Sequence, residues 1–421
     1  MPVTGTPPSD PDDAPLLQVA CDAFSPDLPP KIAVAVSGGG DSMALLHLYL
    51  RLARAQNTQI AAVTVDHGLR PEAADEAAMV ARFCARHDIS HTILKWDGWD
   101  RTGNLMAAAR AARYRLIAGW AASQSIADVV LGHTLDDLAE TFLMRLARKS
   151  GPAGLAAMDT RFIRHGITWT RPLAAQSRAD LRAYLRRHDI AWADDPTNED
   201  DRFDRIRARN ALDVLAPLGV TVPVLGAVSA AMGQASDALH HYARIESRRY
   251  VVQDRCDLVL RLGLTGPLPT EIKRRLWAAA IQWVNGADYP PRQAAFADVI
   301  DGLTTDGART VAGCLITRKG DDWRVARELQ AVQGQSCATT DLWDSRWQMD
   351  GPHAPALQVR PLGEGIRDCP DWRDAGLPRA SLMATPAIWR DQALISAPMA
   401  GLSAGWTAQI IADFHSSAFA H

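Results

Sequence analysis

One local pattern constrains the fold more than any other. A short apolar strand, a glycine cluster and a long helical stretch follow one another in KIAVAVSGGGDSMALLHLYLRLARAQ, which begins at Lys31. The same order of a strand pattern and then a helix pattern returns in three later segments, the last being ADVVLGH followed by LDDLAETFLMRLARK. Strands separated by helices pair in parallel, because a parallel connection needs a long crossover. We therefore predict an α/β fold whose N-terminal domain is a doubly wound parallel sheet with helices on both faces.

The carboxyl ends of these strands are the expected ligand site, since open parallel sheets bind their ligands there. Four residues follow the predicted strands: Ser37, Asp66, Trp96 and His133. The loop after the first strand consists of Ser37, Gly38, Gly39, Gly40, Asp41 and Ser42. Its glycines let backbone N–H groups converge, and the next helix adds the positive end of its dipole, which suits a phosphate or pyrophosphate. The alternative is a glycine-rich turn in which Asp41 or Ser42 only caps the helix.

Composition and pattern divide the rest of the chain. Residues 1–30 carry five aspartates and no lysine or arginine, and we expect a flexible tail there. We then predict the α/β domain at 31–216, a helical domain at 217–309 and a small β-rich domain at 310–421. No run approaches about 18 apolar residues, and the six cysteines show no metal-ligand spacing. We therefore expect a soluble cytoplasmic protein without a membrane partner.

The charge distribution is uneven although the whole chain is nearly balanced, with 45 basic and 48 acidic residues. Residues 141–187 contain ten Lys or Arg and only two Asp. A basic block of this kind can attract a polyanion such as a nucleic acid. The alternative is a solvated helical surface whose charge neighbouring segments offset.

Several motifs carry a family resemblance. The loop SGGGDS resembles the SGGxDS loop of the PP-loop ATP pyrophosphatases, which hold the pyrophosphate of ATP while the α-phosphate adenylates a substrate oxygen. Further motifs resemble those of the tRNA(Ile)-lysidine synthetases: DHGLR from Asp66, GN with AR and RY within residues 103–114, LGHTLDDLAET from Leu131, RPL from Arg171 and WADDPTN from Trp192. Residues 205–209 depart from the family's RNRIR ending, because they keep three arginines but lose the asparagine.

The resemblance implies an adenine nucleotide alpha hydrolase-like fold and a defined reaction. Lysine would be ligated to C2 of the wobble cytidine in the CAU anticodon of isoleucine tRNA, through an adenylated cytidine. The modified anticodon would read AUA instead of AUG. The implied cofactors are ATP and Mg²⁺, the implied partners are isoleucine tRNA and lysine, and a homodimer is compatible with the family.

The motifs also nominate site residues. The catalytic candidates are Asp41, Arg113, His133 and Asp137; the nucleotide-binding candidates are residues 37–42 with Asp66, His67, Arg110 and His133; the tRNA-binding candidates are Arg205, Arg207 and Arg209. Asp136 and Glu140 lie one helical turn apart, and we predict that they bind Mg²⁺, although such carboxylates can equally attract a lysine ammonium.

Each nomination has a structural alternative. Asp137 can serve the helix N-terminus together with a Thr134 cap, and His133 can be a satisfied core histidine. His67 can simply close a turn. Arg110 and Arg113 share a helix face that can be solvated. The three arginines of residues 205–209 can balance the acidic run from Asp194 to Asp204.

Two rival functions remain at this stage. A tRNA thiolation enzyme of the same superfamily would need a paired or suitably placed thiol, which the cysteine spacing does not offer. A non-catalytic RNA-binding protein would have no need for SGGGDS together with the acidic LGHTLDDLAET motif. Pyrophosphate release that depends on both ATP and tRNA discriminates an enzyme from such a binder.

Overall fold

A computed structural model describes residues 11–68, 72–96, 105–194, 204–261, 268–287, 290–291 and 307–419. The chain divides into two compact units, Met1–Ser236 and Asp237–His421. The boundaries predicted at residues 30, 216 and 309 stay predictions.

The first unit is built on one six-stranded sheet. Its strands are β1 Lys31–Ala35, β2 Gln59–Asp66, β3 Ser90–Lys95, β4 Asp128–Leu131, β5 Arg161–Arg164 and β6 Ile167–Thr170, in the order β3-β2-β1-β4-β6-β5. All neighbouring strands are parallel except β5, which pairs with β6 as an antiparallel hairpin. The predicted doubly wound sheet is therefore confirmed, and the strand order reverses between β1 and β4, where such sheets bind ligands.

Helices cover both faces of this sheet. On one face lie α1 Ala14–Asp22, α2 Gly40–Gln56, α3 Glu72–Arg86 and α7 Arg178–Arg187, and on the other lies α4 Leu105–Ser123. The unit also contains α5 Leu135–Ala147, α6 Pro152–Leu155, α8 Asp204–Leu215 and the first part of α9 Val222–Tyr250, which pack together in a separate cluster. Because successive strand residues point to opposite faces, Ile32 and Val34 pack with α1, α2 and α7 whereas Ala33 packs with α4. The alternating apolar pattern of β1 thus builds two cores at once.

Part of the predicted tail is not flexible. Leu16, Leu17 and Ala20 of α1 are buried in the same core as β1 and α2. The Tyr49 hydroxyl donates a hydrogen bond of 2.9 Å to the Ala20 carbonyl. The expected flexible tail over 1–30 is therefore wrong for residues 14–22, because a helix with an apolar stripe buries itself whatever the composition of the flanking residues.

The second unit is rich in antiparallel sheet. Its strands are β7 Val251–Asp254, β8 Asp257–Leu260, β9 Gly307–Val311, β10 Cys314–Lys319, β11 Asp322–Arg327, β12 Cys337–Ala338, β13 Trp347–Asp350, β14 Gln358–Pro361, β15 Pro386–Arg390, β16 Ala393–Ser396 and β17 Thr407–Ile410. They form a sheet of order β7-β8-β11-β10-β9, a sheet of order β12-β14-β15-β16 and the pair β13-β17. The helices are the end of α9, α10 Thr270–Asn285, α11 Leu329–Val332, α12 Arg379–Met383 and α13 Phe414–Ser417. The segment predicted as helical, 217–309, thus also supplies β7 and β8 to a sheet.

Short 3-10 helices occupy Pro11–Asp13, Ala216–Leu218, Gly363–Asp368, Trp372–Ala375 and Pro398–Ala400. Within the described ranges, no single helix has the length and apolar character needed to cross a membrane. The segments Asp204–Leu218 and Val222–Tyr250 reach that threshold only as a pair, and they are bent by 99°.

Candidate active site

The glycine loop joins β1 to α2 and is braced by its own hydroxyl groups. Gly38 has φ +92°, and a Cβ there would lie 3.3 Å from the Cβ of Glu76, so both its conformation and its surroundings favour glycine. The Ser37 N–H donates to Ser42 Oγ at 3.1 Å, and Ser42 Oγ donates to the Gly39 carbonyl at 2.9 Å. The first amides of a helix have no intrahelical acceptor, and those of α2 begin at this loop. The loop is therefore a preformed anion cradle.

Gly132 brings the end of β4 against the start of α2. A Cβ at Gly132 would lie 3.1 Å from the backbone carbonyl carbon and oxygen of Asp41 and from Ser42 Cα. Only a glycine permits this approach without a backbone shift. It sets His133, the next residue, beside the first turn of α2.

Helix α5 begins with a capping box. Thr134 Oγ1 accepts from the Asp137 N–H at 3.4 Å, and Asp137 Oδ2 accepts from the Thr134 N–H at 2.9 Å. The structural alternative for Asp137 is thus realised. Its other oxygen, Oδ1, lies 3.4 Å from guanidinium nitrogens of both Arg178 and Arg205. Asp137 therefore serves the helix and the site together.

Arg178, at the start of α7, contacts four carboxylates that we call the acidic group: Asp41, Asp136, Asp137 and Glu140. Its side chain contacts Asp41 Oδ2 at 3.2 Å, Glu140 Oε1 at 3.2 Å and Asp137 Oδ1 at 3.4 Å. Its backbone N–H donates to Asp136 Oδ2 at 2.8 Å. Arg178 is not among the site residues predicted from the sequence. Its local signal was only the Ser177 cap, which accepts from Asp180 and sets Arg178 at the first helical position.

Burial and charge act in opposite directions on these groups. Burial raises the pKa of Asp41, although Arg178 partly opposes the shift. For Asp137, burial also favours the neutral form, but Arg205, His133, the Thr134 N–H and Arg178 together lower the pKa. Burial would lower the pKa of Arg178, but Glu140, Asp137 and Asp41 raise it. Asp137 and Arg178 are therefore held as ions, whereas burial makes Asp41 readier to take a proton than an exposed aspartate.

The three arginines nominated for tRNA lie on α8. Arg209 Nε contacts Glu140 Oε1 at 3.0 Å, and Arg205 Nε lies 3.4 Å from Glu140 Oε2. Arg207 instead pairs with Asp204. Two of the three thus face the acidic group. Their role in tRNA binding stays a prediction.

The nominated Mg²⁺ ligands do not fit a divalent cation in this arrangement. Glu140 is 1% exposed and is contacted by the guanidiniums of Arg178, Arg205 and Arg209. Asp136 Oδ2 accepts a hydrogen bond from the Arg178 backbone N–H at the N-terminus of α7. Across the described part of the chain, no three His, Cys, Asp or Glu side chains are grouped as metal ligands. Mg²⁺ needs several oxygen ligands in near-octahedral geometry, whereas arginines occupy this position.

A second set of residues surrounds the end of β4 from the other side. Arg110 and Arg113 project from α4, and their guanidinium carbons lie 5.5 and 5.7 Å from the Tyr114 ring centroid. Burial lowers the pKa of His133 to about 3, with Arg171, Arg113 and Arg110 adding to the shift against Asp137. His133 is therefore a neutral imidazole at physiological pH.

The end of β2 contributes less to the site. Asp66 Oδ1 accepts from the Gly68 N–H at 2.8 Å, which makes it a turn residue. His67 packs edge-on against Trp96, with ring centroids 5.6 Å apart. Burial lowers the pKa of His67, and Arg113 adds to the shift. Residues 69–70, 103–104 and 195–198 of the sequence motifs lie outside the described residues.

Among the described residues, the buried polar atoms at this edge that lack a hydrogen-bond partner include Asp41 Oδ1, His67 Nδ1, Arg113 Nε and His133 Nδ1. Leaving such an atom unpaired costs about 1–3 kcal/mol, so native proteins satisfy nearly all of them. Unpaired groups beside an anion cradle indicate a ligand that completes them. Amides, guanidiniums and a neutral imidazole suit the phosphates of ATP.

Comparison with known proteins agrees with this geometry. Residues 16–215 match the family model of a PP-loop domain. The chain is 44% identical to the tRNA(Ile)-lysidine synthase of Ruegeria pomeroyi over 402 residues, which cover 94% of this chain and 96% of that protein. It is 30% identical to the tRNA(Ile)-lysidine synthase of Wolbachia pipientis wMel, with 87% and 88% of the two chains covered.

A solved structure, the U34-tRNA thiolase NcsA of Methanococcus maripaludis with its [4Fe-4S] cluster, is 16% identical. It aligns with a TM-score of 0.46 over 53% of this chain and 78% of that one, too distant a likeness to bear on function. The relatives above match along nearly their whole length and share the name that the motifs had predicted. The chain therefore belongs to the tRNA(Ile)-lysidine synthase family.

Proposed function

We propose that this protein uses ATP to ligate lysine to C2 of the wobble cytidine in the CAU anticodon of isoleucine tRNA. The cytidine C2 oxygen attacks the α-phosphorus and pyrophosphate leaves; the lysine ε-amine then attacks C2, AMP leaves and a proton is released. The modified anticodon reads AUA instead of AUG. The observation that carries the proposal is the set of unpartnered buried atoms of Asp41, Arg113 and His133 beside the glycine loop.

In the first half of the reaction the protein binds the negatively charged phosphates of ATP. The amides at residues 37–42 receive the pyrophosphate, and Arg110 and Arg113 balance charge at the α-phosphate. His133 is neutral, so one ring nitrogen donates a hydrogen bond to a phosphate oxygen without a change in net charge. Asp66 and His67 border the nucleotide from the end of β2.

In the second half the acidic group receives lysine. Asp41, Asp136, Asp137 and Glu140 stand against Arg178, Arg205 and Arg209, so four carboxylates face three guanidiniums. The remaining negative charge complements lysine, whose net charge is positive. Burial raises the proton affinity of Asp41, and we assign to it the proton that the ε-ammonium must lose before it attacks. No step is assigned to Mg²⁺.

The tRNA is proposed to lie across the basic block at 141–187, with Arg205, Arg207 and Arg209 able to turn toward its backbone. Region 217–309 is proposed to bind the tRNA, and region 310–421 is proposed to bind its acceptor stem. Contacts outside the anticodon are needed because methionine tRNAs share CAU. We further propose that the protein acts in the cytoplasm; a homodimer stays a prediction. The thiolase alternative gains nothing from the six cysteines, all free and four of them buried.

The experiment is incorporation of labelled lysine into an isoleucine tRNA transcript bearing CAU, with ATP and Mg²⁺. A methionine tRNA transcript with the same anticodon and a reaction without ATP are the controls. We expect label in the isoleucine transcript alone, and no label with Asp41→Asn under conditions in which the variant is still folded. Absence of label with folded, ATP-binding wild-type protein would overturn the proposal, and full activity of Asp41→Asn would overturn the role of that residue.

A further inference from the structure

Three arginines differ from those that contact the acidic group in one respect. They are Arg110 and Arg113 of α4 and Arg171, which follows β6. Arg178, Arg205 and Arg209 are all paired with carboxylates. Arg110, Arg113 and Arg171 form no ion pair with any carboxylate in the described ranges. The same edge of the sheet therefore carries one neutralised and one uncompensated group of guanidiniums.

The uncompensated group is organised around the phenol of Tyr114. Arg110 Nη2 donates to Tyr114 Oη at 3.4 Å, and the guanidiniums of Arg110 and Arg113 lie over the Tyr114 ring. Burial lowers the pKa of Arg113 and of Arg171, and the nearby Tyr114 phenol opposes the shift in both. A phenol is uncharged and accepts such bonds, so it gathers the cations without neutralising them.

Tyr114 itself is fixed by its neighbours. It is 1% exposed, and it packs edge-on against Trp169 with centroids 4.7 Å apart and against Phe162 at 6.0 Å. Arg171, 6% exposed, lies over the Phe162 ring at 4.4 Å and donates to the Asp159 carbonyl. The aromatic packing leaves the phenol one position, and the guanidiniums that it holds are positioned with it.

This group lies at the site already described. Arg171, Arg113 and Arg110 are the cations that act on His133, and Arg113 also acts on His67. The Nε atoms of Arg113 and Arg171 are buried and have no hydrogen-bond partner. Like charges gathered without a counterion destabilise the free protein, and an anion that binds there relieves the repulsion.

We propose that Tyr114 is a positioning residue whose phenol and ring hold Arg110 and Arg113, with Arg171 behind them, in the arrangement that receives a phosphate group. The phosphate comes either from ATP or from the RNA backbone beside the reacting base. The naming of ATP and RNA as the two sources rests on the proposed function. The positioning itself rests on the contacts of Tyr114.

The test compares Tyr114→Phe with Tyr49→Phe. Each change removes one hydroxyl from a buried tyrosine and keeps the ring, but Tyr49 donates only to the Ala20 carbonyl, in the core beside α1. We expect Tyr114→Phe to lower kcat for tRNA-dependent pyrophosphate release at least about tenfold, in the range of groups that stabilise transition-state charge. The KM for lysine and the melting temperature should change little. Tyr49→Phe should lower the melting temperature and leave kcat unchanged.

Two binding measurements without lysine distinguish the sources. Weaker ATP binding by Tyr114→Phe, with unchanged affinity for tRNA, assigns the phosphate to the nucleotide. Weaker tRNA binding with a salt dependence reduced by about one phosphate contact assigns it to RNA. The two binding measurements still test the role of Tyr114 if the wild type fails to form lysidine. In that case only the proposed function is contradicted.

An epistasis measurement separates positioning from general destabilisation. If Tyr114 acts through Arg113, then adding Tyr114→Phe to Arg113→Met should cause no further loss of phosphate binding or kcat. Adding Tyr49→Phe to the same background should lower stability independently. The proposal would be overturned if Tyr114→Phe had wild-type kcat and wild-type affinities for ATP and tRNA. It would also be overturned if the loss in the double variant equalled the product of the losses in Tyr114→Phe and Arg113→Met.

Discussion

Arg178 gives the sharpest test of how the acidic group is held together. Its guanidinium is the ion-pair partner of Asp41 among the described residues, and it shares Asp137 and Glu140 with the arginines of α8. The Arg178 side chain is 18% exposed and that of Asp41 is 21% exposed. Arg178→Met keeps the volume and removes the charge, which leaves Asp41 as a largely buried carboxylate without a counterion.

Removing one partner of a buried ion pair costs about 3–5 kcal/mol, and the partial exposure of this pair favours the lower end, about 3 kcal/mol. For a unit such as Met1–Ser236, each kcal/mol corresponds to about 2–4 °C in melting temperature. The expected loss is therefore roughly 6–12 °C by calorimetry. Asp41→Asn in the Arg178→Met background should recover part of the loss, because it removes the uncompensated charge.

The matched control is Arg186→Met. Arg186 lies on the same helix α7 and is exposed. Its loss should change stability by less than about 0.5 kcal/mol. Equal melting temperatures for the two single variants would contradict the role of Arg178 as the counterion of Asp41. An Asp41→Asn change that adds to the Arg178→Met loss, instead of reducing it, would contradict it as well.

Three further predictions follow from local geometry. Gly132→Ala should destabilise the protein and weaken ATP binding, since the new Cβ would lie 3.1 Å from the backbone of α2. The control is Gly119→Ala, whose Cβ would have no atom within 4 Å. It should stabilise α4 by up to about 1 kcal/mol in urea unfolding. Asp137→Ala should lower the free energy of unfolding by about 1–2 kcal/mol, because it removes the capping box and the arginine contacts of Asp137. The control is Asp180→Ala, which removes an exposed acid at the third position of α7. A loss no larger than that of Asp180→Ala would contradict the prediction. Burial lowers the pKa of His133 to about 3 in the folded protein, whereas in the unfolded chain the imidazole has its ordinary pKa of about 6.5. As the pH falls below about 6.5, His133 is therefore protonated in the unfolded chain but not in the folded protein. The free energy of unfolding should therefore decrease from pH 6.5 toward pH 4, and His133→Asn should flatten that slope by about 1 kcal/mol per pH unit, an effect that would be absent if His133 were solvated.

The two arginine groups explain how one sheet edge can handle opposite charges. Arg178, Arg205 and Arg209 reduce the charge of the acids without cancelling it. Arg110 and Arg113, gathered by a phenol instead of a carboxylate, keep their full charge for an anion. His133 lies where both groups act on it, and its neutrality follows from burial reinforced by the arginines against Asp137.

Features that depend on neighbouring residues can be predicted from the sequence. The alternation of strand and helix patterns predicts the parallel sheet, and the glycine run between Ser37 and Ser42 predicts the anion cradle, because backbone conformation follows local residue type. The spacing of Thr134 and Asp137 predicts the cap of α5. The order of the motifs was enough to identify the family.

Which charged groups meet depends on tertiary packing and could not be predicted from the sequence. Arg178 reaches Asp41 across 137 positions of the chain, and Arg209 reaches Glu140 across 69. No periodicity encodes such pairs, since they depend on how α7 and α8 pack against the ends of β1 and β4. For the same reason the acids predicted to bind Mg²⁺ face arginines, and α1 lies in the core although the composition around it predicts a flexible tail. Local pattern selects the elements, and the burial of their apolar faces selects the partners of their charges.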